Sequence, residues 1–453
     1  MTTNQTLAAF RFGFGLPLPD GATADPVAML AALGGPDAMA ATYPGPRYAD
    51  LAQQMDIAAD MLRASRRSEG EARETARTSY RTAVAELQGV ALIAAKTTIA
   101  RALDAPDGLR ERLAQFWADH FTTIARSRDT APMPSAMVEE AIRPHLNGRF
   151  ADMLKSVVQH PAMLLYLDQT RSFGPNSRFG QRRNKGLNEN LARELLELHS
   201  VGGGYTQADV TQMAELLTGL TLGKNGPTFD KRRAEPGAET VLGKAYGGDT
   251  LTPLLQALDD LSQHPLTAAH MARKLAVHFV SDTPDPDLVS SLDVAWRTSG
   301  GDLMAVSTAL LTHPAAWAPG QGKARQPYDF IVAALRALGL TGADVMRMGE
   351  GPFRRMILQP MEAMGQPWQS APGPDGWPEA AAHWITPEGM ASRITWAMEV
   401  PGRLVNPLPN PVALMNRSLG SMASARLAWA VPKSENIREA VGLVFASPEF
   451  NRR

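Results

Sequence analysis

The densest set of side chains able to do chemistry lies between Asn188 and His199. On a helix, at about 100° per residue, the charged side chains of this run share one polar arc and its leucines fill the opposite arc. Glu194 and Glu197 are candidate acid–base groups, and Arg193 is a candidate clamp for an anionic substrate. The alternative interpretation is a ladder of ion pairs, because Arg193 lies four residues from both Glu189 and Glu197.

A histidine elsewhere in the chain, His120, lies on a predicted helix face with Phe116 and Trp117. This position is typical of a hydrogen-bonded core histidine. The alternative is a partly buried acid, base or metal ligand whose pKa is tuned near neutrality. With Glu194 and Glu197, His120 completes the candidate catalytic set, and the same three residues are the candidate ligands of a divalent metal ion.

Basic residues crowd the segment that leads into the charged helix: Arg171, Arg178, Arg182, Arg183 and Lys185. This segment is either a solvated loop or an anion site, because guanidinium groups pair with carboxylate, sulfate or phosphate. The candidate substrate-binding residues, beside Arg193, are Asn188, Asp168, Tyr205, Arg182, Arg183 and Trp377.

Two further patterns have both a chemical and a structural interpretation. A Pro- and Gly-rich segment carries three tryptophans, Trp368, Trp377 and Trp384. They would either stack on a sugar or peptide or anchor the loop to the protein, and anchoring is the more common role. His270 and His278 flank Lys274 at four-residue spacing, and since a cation between two imidazoles disfavours metal binding, we predict a solvated helix stripe.

Composition excludes several classes of protein. The 453 residues include no Cys, which rules out disulfides, thiolate nucleophiles and Cys-ligated metal centres. A net charge of −1 argues against a nucleic-acid binder.

No apolar run approaches the roughly 18 residues of a membrane span. The polar start, Met1–Phe10, lacks the pattern of an export signal, which predicts a cytoplasmic protein, or a periplasmic one if a partner carries it.

The elements that must position these residues are mainly helices, since apolar residues recur at three- and four-residue steps along most of the chain. We expect a multi-helix body with a small β-hairpin flap and a Pro/Trp-rich loop, Gly365–Pro387. Short β-prone pieces at Leu220–Leu222 and Thr240–Leu242 predict the hairpin. Thr206 and Asp209 resemble a capping box.

Four segments follow from this pattern: an N-terminal helical segment (1–45), a helical core with the polar cluster (46–217), the hairpin flap (218–248) and a C-terminal helical region (249–453). We expect them to form one compact unit.

Several motifs in order resemble the bacterial family called domain of unknown function 1800. The residues that carry this resemblance are Phe116–Thr122, Pro161–Asp168, Asn188–His199, Gly204–Val210, Leu217–Gly219, Gly365–Trp368, Gly376–Pro378 and Ala446–Phe450. The resemblance covers nearly the whole chain. It implies no settled activity, but it does imply a sulfatase-like, exported protein as a partner.

One departure from the family pattern concerns the hairpin. Family members tend to carry His-Asp and, five residues after the His, a Lys before the Leu-Gly turn, where this chain has Ala234, Glu235 and Glu239. If relatives use these residues in catalysis, this protein has lost them, and a binding or regulatory role gains weight.

Three functions follow as hypotheses. The first is an enzyme, possibly a hydrolase, that uses a metal or carboxylates on an anionic substrate. The second is a non-catalytic partner or chaperone of the exported sulfatase-like protein. The third is an anionic glycan-binding protein that uses the Arg and Trp segments.

Overall fold

The computed structural model describes residues 3–19, 22, 25–183, 186–224, 226–248, 250–318 and 323–453. The prediction of a mainly α-helical protein with a small β-hairpin is confirmed, and the described residues form two such hairpins where one was predicted. The first half of the chain contains α1 (Thr3–Arg11), α2 (Pro26–Gly34), α3 (Ala38–Thr42), α4 (Tyr48–Arg67), α5 (Gly70–Asp104), α6 (Leu109–His120), α7 (Met133–Met137), α8 (Phe150–Gln159), α9 (Pro161–Tyr166), α10 (Arg178–Arg183), α11 (Asn190–Glu197) and α12 (Gln207–Leu217).

Helix α5 is long and apolar enough to cross a membrane by length and composition, and it is the one described helix that is. Of its most apolar stretch, 56% is buried inside the protein, as in the core helix of a globular fold. A single helix of this kind is weak evidence for a membrane span.

Two separate hairpins follow α12: β1 (Leu220–Gly223) pairs with β2 (Gly226–Phe229), and β3 (Ala238–Val241) pairs with β4 (Lys244–Gly247), both antiparallel. The two β-prone pieces predicted from the sequence are therefore strands of different hairpins. The second hairpin turns at Leu242 and Gly243, both with positive φ, as a tight two-residue turn requires. Asp209 of the confirmed Thr206–Asp209 capping box accepts a hydrogen bond from the Leu242 N–H and so fixes this hairpin to α12.

The second half is again helical: α13 (Thr252–Gln263), α14 (Pro265–Phe279), α15 (Pro286–Ser299), α16 (Leu303–Thr312), α17 (Pro327–Leu338), α18 (Gly342–Arg347), α19 (Glu350–Phe353), α20 (Gln359–Ala363), α21 (Ala381–Trp384), α22 (Pro387–Glu399), α23 (Pro401–Leu404), α24 (Pro411–Leu419), α25 (Ala425–Ala430) and α26 (Ile437–Ala446). Helix α14 begins at a proline whose missing N–H needs no partner. The preceding His264 accepts a hydrogen bond from the free N–H of Leu266.

One continuous apolar core draws on all four predicted segments, with buried residues such as Leu33, Leu103, Leu220 and Leu335. The division into those segments stays a prediction. Helix α6 crosses the core with Phe116 and Trp117 almost fully buried.

Candidate functional site

A cleft of about 1110 Å³, part of it open to solvent, lies between α5, α6, α14, α17 and the Pro/Trp-rich loop. Helix α6 contributes Arg112, Gln115 and Asp119, which are three and four residues apart and so share one face. Helix α14 contributes His278, and the loop contributes Trp377. Concave sites with a few convergent polar groups are where proteins usually bind small ligands.

Asp119 lies where the loop touches α6. Its carboxylate accepts a hydrogen bond of 2.9 Å from the backbone N–H of Trp377. Gly376 makes this approach possible, because it has φ +81° and a Cβ there would stand 2.7 Å from Asp119 oxygens. Burial raises the pKa of Asp119 to about 7, the Trp377 N–H opposes the shift, and the charge of Glu379 adds to it.

His278 is held between a carboxylate and a guanidinium. Its Nδ1 lies 2.5 Å from Glu379 Oε1, and its Nε2 lies 3.4 Å from Arg112 Nη2. Because a guanidinium can only donate, Nε2 must be the accepting nitrogen, and Nδ1 carries the proton toward Glu379. A carboxylate that orients an imidazole in this way leaves Nε2 as a base, and the 3.4 Å contact is loose enough for a ligand to replace it.

A network of ion pairs supports this histidine. Burial alone would raise the pKa of Glu379, but His278 and Lys323 outweigh burial and hold it well below its usual range. The ammonium of Lys323 lies 2.9 Å from Glu379. Asp329 pairs with Arg112 at 2.7 Å and with Arg453 at 3.2 Å. The charged floor of the cleft is therefore fixed before any ligand enters.

The cleft also offers unused hydrogen-bond donors. Within the part of the chain that the structure describes, Arg112 Nε and Trp368 Nε1 are buried and have no hydrogen-bond partner. Buried donors usually have partners, so these two favour a ligand with oxygen acceptors. Gln369 exchanges hydrogen bonds with Ser135 and has φ +48°, a strained conformation of the kind that clusters at functional sites.

The predicted acidic helix, α11, has a different environment. Glu194 is half-buried and Glu197 is exposed, where it accepts a hydrogen bond of 3.0 Å from Tyr205. Arg193 pairs with Glu189 at 3.2 Å. This pair is one half of the ion-pair ladder. Glu194 is linked to the cleft only indirectly: burial raises its pKa, as do the charges of Glu197 and of Asp375, which also raises the pKa of Asp119.

His120 is sealed among aromatic rings, 2% exposed, with its ring 4.5 Å from that of Phe121 and 6.0 Å from that of His199. Burial lowers the pKa of His120 well below its usual value. No hydrogen bond or ion pair joins it to Glu194 or Glu197 in the described structure. The structure therefore does not bring the predicted catalytic set together.

The predicted metal ligands are equally dispersed. Across the described ranges, no group of three or more His, Asp or Glu side chains could hold a metal ion. Glu194, Glu197 and His120 are thus not assembled as a site for a divalent ion, and no metal step is derived from them.

The other predicted binding residues occupy separate places. Asp168 has φ +54° and pairs with Arg126 at 3.1 Å and with Arg171 at 3.4 Å beside a second depression of about 660 Å³. The Asn188 amide donates to the Asp168 carbonyl at 3.3 Å. Arg182 is exposed on α10. The Arg183 side chain and Lys185 lie outside the described residues. Trp377 alone lines the large cleft.

Asp119, His278 and Glu379 are the groups that sequence reasoning missed. His278 was assigned to a solvated stripe, but it is 7% exposed. That interpretation is wrong because α14 packs its histidine face against α6 and the loop. A signal was present, since two of the motifs that carry the family resemblance, Phe116–Thr122 and Gly376–Pro378, meet at Asp119.

A family model matches this chain. The model of a family described as "Protein of unknown function (DUF1800)" matches residues 8–452. Neither the curated proteins nor the solved structures compared with the chain gave a match. Because the family model covers nearly the whole length, this chain belongs to the DUF1800 family, domain of unknown function 1800.

Proposed function

We propose that this protein is an enzyme that transfers protons to and from a small polar substrate in the cleft, with His278 as general base and Asp119 as general acid. The observation that carries the proposal is that an oriented imidazole and a carboxyl with a pKa of about 7 line the same cleft.

The two groups suit opposite roles. The Nε2 of His278 has a free electron pair because Glu379 fixes the proton on Nδ1. Burial raises the pKa of Asp119 to about 7, which favours a protonated carboxyl near neutral pH, as a general acid requires. An acid and a base placed in different surroundings within one cleft are a common feature of acid–base enzymes.

Substrate binding is proposed for the groups around them. Arg112 and Trp368 would donate to substrate oxygens, and Trp377 would cover the acid. The roles of Glu194, Glu197 and Arg193 in catalysis, the sulfatase-like partner and the anionic glycan stay predictions from the sequence.

The test uses the purified protein on two panels. One contains chromogenic esters, glycosides, phosphates and sulfates, and reports hydrolysis. The other contains small aldehydes and ketones in D₂O, and reports deuterium exchange beside the carbonyl by NMR. We expect a reaction in one panel that falls by about 10²-fold or more in His278→Asn and in Asp119→Asn.

Glu194→Gln separates the cleft from the acidic helix. If that variant abolishes the reaction while Asp119→Asn and His278→Asn retain it, the assignment to the cleft is wrong. A bell-shaped pH profile that loses its alkaline limb in Asp119→Asn would support Asp119 as the acid.

A further inference from the structure

Lys274 lies on α14 one turn before His278, on the same face of the helix. His270, one turn earlier, bonds to the Ser200 carbonyl at 2.8 Å. Lys274 is partly exposed.

The amine of Lys274 has no fixed partner. Among the described residues it makes no hydrogen bond and no ion pair within 4 Å. Lys323, which also lies near Glu379, differs: its ammonium lies 2.5 Å from Asp282 and 2.9 Å from Glu379. It is unusual for the amine of a largely buried lysine to have no carboxylate within ion-pair distance, since buried charges are normally paired.

The charged and titratable groups around this amine come from α6, from the end of α11, from α14 itself and from the loop. They are Asp119, His120, His199, His270, Asp375 and Glu379. The carboxylates raise the pKa of Lys274, but burial outweighs them and lowers it. The three imidazoles have lowered pKa values and add no positive charge near neutral pH.

A lowered pKa favours the neutral amine, which is the form of lysine that attacks carbonyl groups. The amine nitrogen adds to the carbonyl carbon and gives up one proton, and the carbonyl oxygen takes up one proton, which gives a neutral carbinolamine. Loss of the hydroxyl group as water, with one further proton, leaves a protonated imine. In balance, R₂C=O and the lysine ammonium give R₂C=NH⁺–lysine and one water, with no oxidant or reductant.

We propose that Lys274 forms an imine with the aldehyde or ketone group of a small substrate, because its partly exposed amine has no hydrogen bond or ion pair among the described residues and stands one helical turn before His278, which lines the cleft. This inference deepens the proposed function by naming the substrate class, and it rests on the same cleft for its acid and base.

The experiment traps the imine chemically. The full chain is incubated near pH 7 with glycolaldehyde or with pyruvate, each with sodium cyanoborohydride, which reduces an imine to a stable amine. Peptide mass spectrometry then gives the labelling rate of each lysine. We expect Lys274 to be labelled several-fold faster than Lys155, a partly exposed lysine whose ammonium lies 2.5 Å from Asp259.

Two variants and a folding check complete the test. Lys274→Met should remove that label and no other, while Lys155→Met should leave labelling of Lys274 unchanged. Circular dichroism confirms that both variants fold. Labelling of Lys274 no faster than that of Lys155, with both probes, would overturn the inference.

Failure of the proposed function has a different signature. A reaction that depends on Asp119 and His278, without trapping at Lys274, would refute the imine and keep the acid–base site. Trapping at Lys274 without any reaction in the two panels would keep the reactive amine and count against the acid–base assignment.

Discussion

The floor of the cleft and the outer arc of α11 each carry an arginine paired with a carboxylate, in different surroundings. In the floor, Arg112 and Asp329 pair at 2.7 Å with side chains only 2% and 10% exposed. On α11, Arg193 and Glu189 pair at 3.2 Å with side chains 41% and 31% exposed. The first pair joins residues 217 positions apart, and the second joins residues four apart.

This difference shows that a high density of charged residues in a sequence indicates an exposed helix face as readily as it indicates a functional site. A charge buried by distant segments must be paired, and removing its partner is costly. An exposed pair within one helix contributes little.

Arg112→Met and Arg193→Met form the most direct test. We expect Arg112→Met to lower the free energy of unfolding by about 3 kcal/mol, because Asp329 loses one of its two buried partners. Arg193→Met should change it by at most about 0.5 kcal/mol. Urea unfolding followed by circular dichroism measures both. Equal losses in the two variants would contradict the contrast.

Gly376→Ala tests the contact between the loop and Asp119. The new Cβ would stand 2.7 Å from Asp119 oxygens at φ +81°, so we expect a loss of about 2–3 kcal/mol and a displaced loop. Gly243→Ala is the matched control, because Gly243 has φ +78° but no atom within 4 Å of the added Cβ. It should cost about 1 kcal/mol. Thermal unfolding measures the stability of both variants. Equal losses of stability would mean that the loop moves away from Asp119 at little cost in free energy.

Asp119→Asn tests the raised pKa through the pH dependence of stability. The folded pKa is about 7 and the unfolded value is about 3.9, so between these values the folded state keeps a proton that the unfolded state has lost. The stability from this proton is complete below about pH 4 and is lost as the pH rises through 7.

The variant lacks this titration. Relative to wild type, Asp119→Asn should therefore gain about 2–3 kcal/mol between about pH 5 and about pH 8 in urea unfolding. Glu194→Gln should show a smaller change of the same sign, since the pKa of Glu194 is also raised. A difference between Asp119→Asn and wild type that does not vary with pH would show that Asp119 is ionised throughout.

Tyr205→Phe gives the smallest expected effect. It removes the 3.0 Å hydrogen bond to the exposed Glu197, and we expect a loss of no more than about 0.5 kcal/mol in thermal unfolding. A loss above about 1 kcal/mol would indicate that the arc of α11 is enclosed after all.

Much of the fold could be predicted from the sequence, because local chemistry decides it. The capping box at Thr206 and Asp209 and the proline that begins α14 depend on neighbouring residues alone. The sequence did not predict that the two β-prone pieces belong to different hairpins. Short strands pair with the strand that follows the nearest turn, and the turn at Leu242 and Gly243 pairs β3 with β4.

The candidate site was less predictable. Helical periodicity predicted that His120 lies on an apolar face, and it does. The same pattern could not predict that the neighbouring Asp119 accepts a hydrogen bond from the Trp377 N–H. His278 and Glu379 are 101 residues apart. Only the packing of α6, α14 and the loop makes them neighbours, and no spacing rule along one helix contains that information.

The charged groups at the floor of the cleft come from distant parts of the chain, so no fragment from one half of the chain keeps them all together. These groups come from α6, from α14, from α17 and from the loop, so a fragment that ended before residue 249 would retain Arg112 and Asp119 but not His278, Asp329 or Glu379. Truncated fragments of this protein should therefore leave charged side chains without their partners and should not fold into a smaller functional domain. A circular permutation, in contrast, retains every element that contributes a charge.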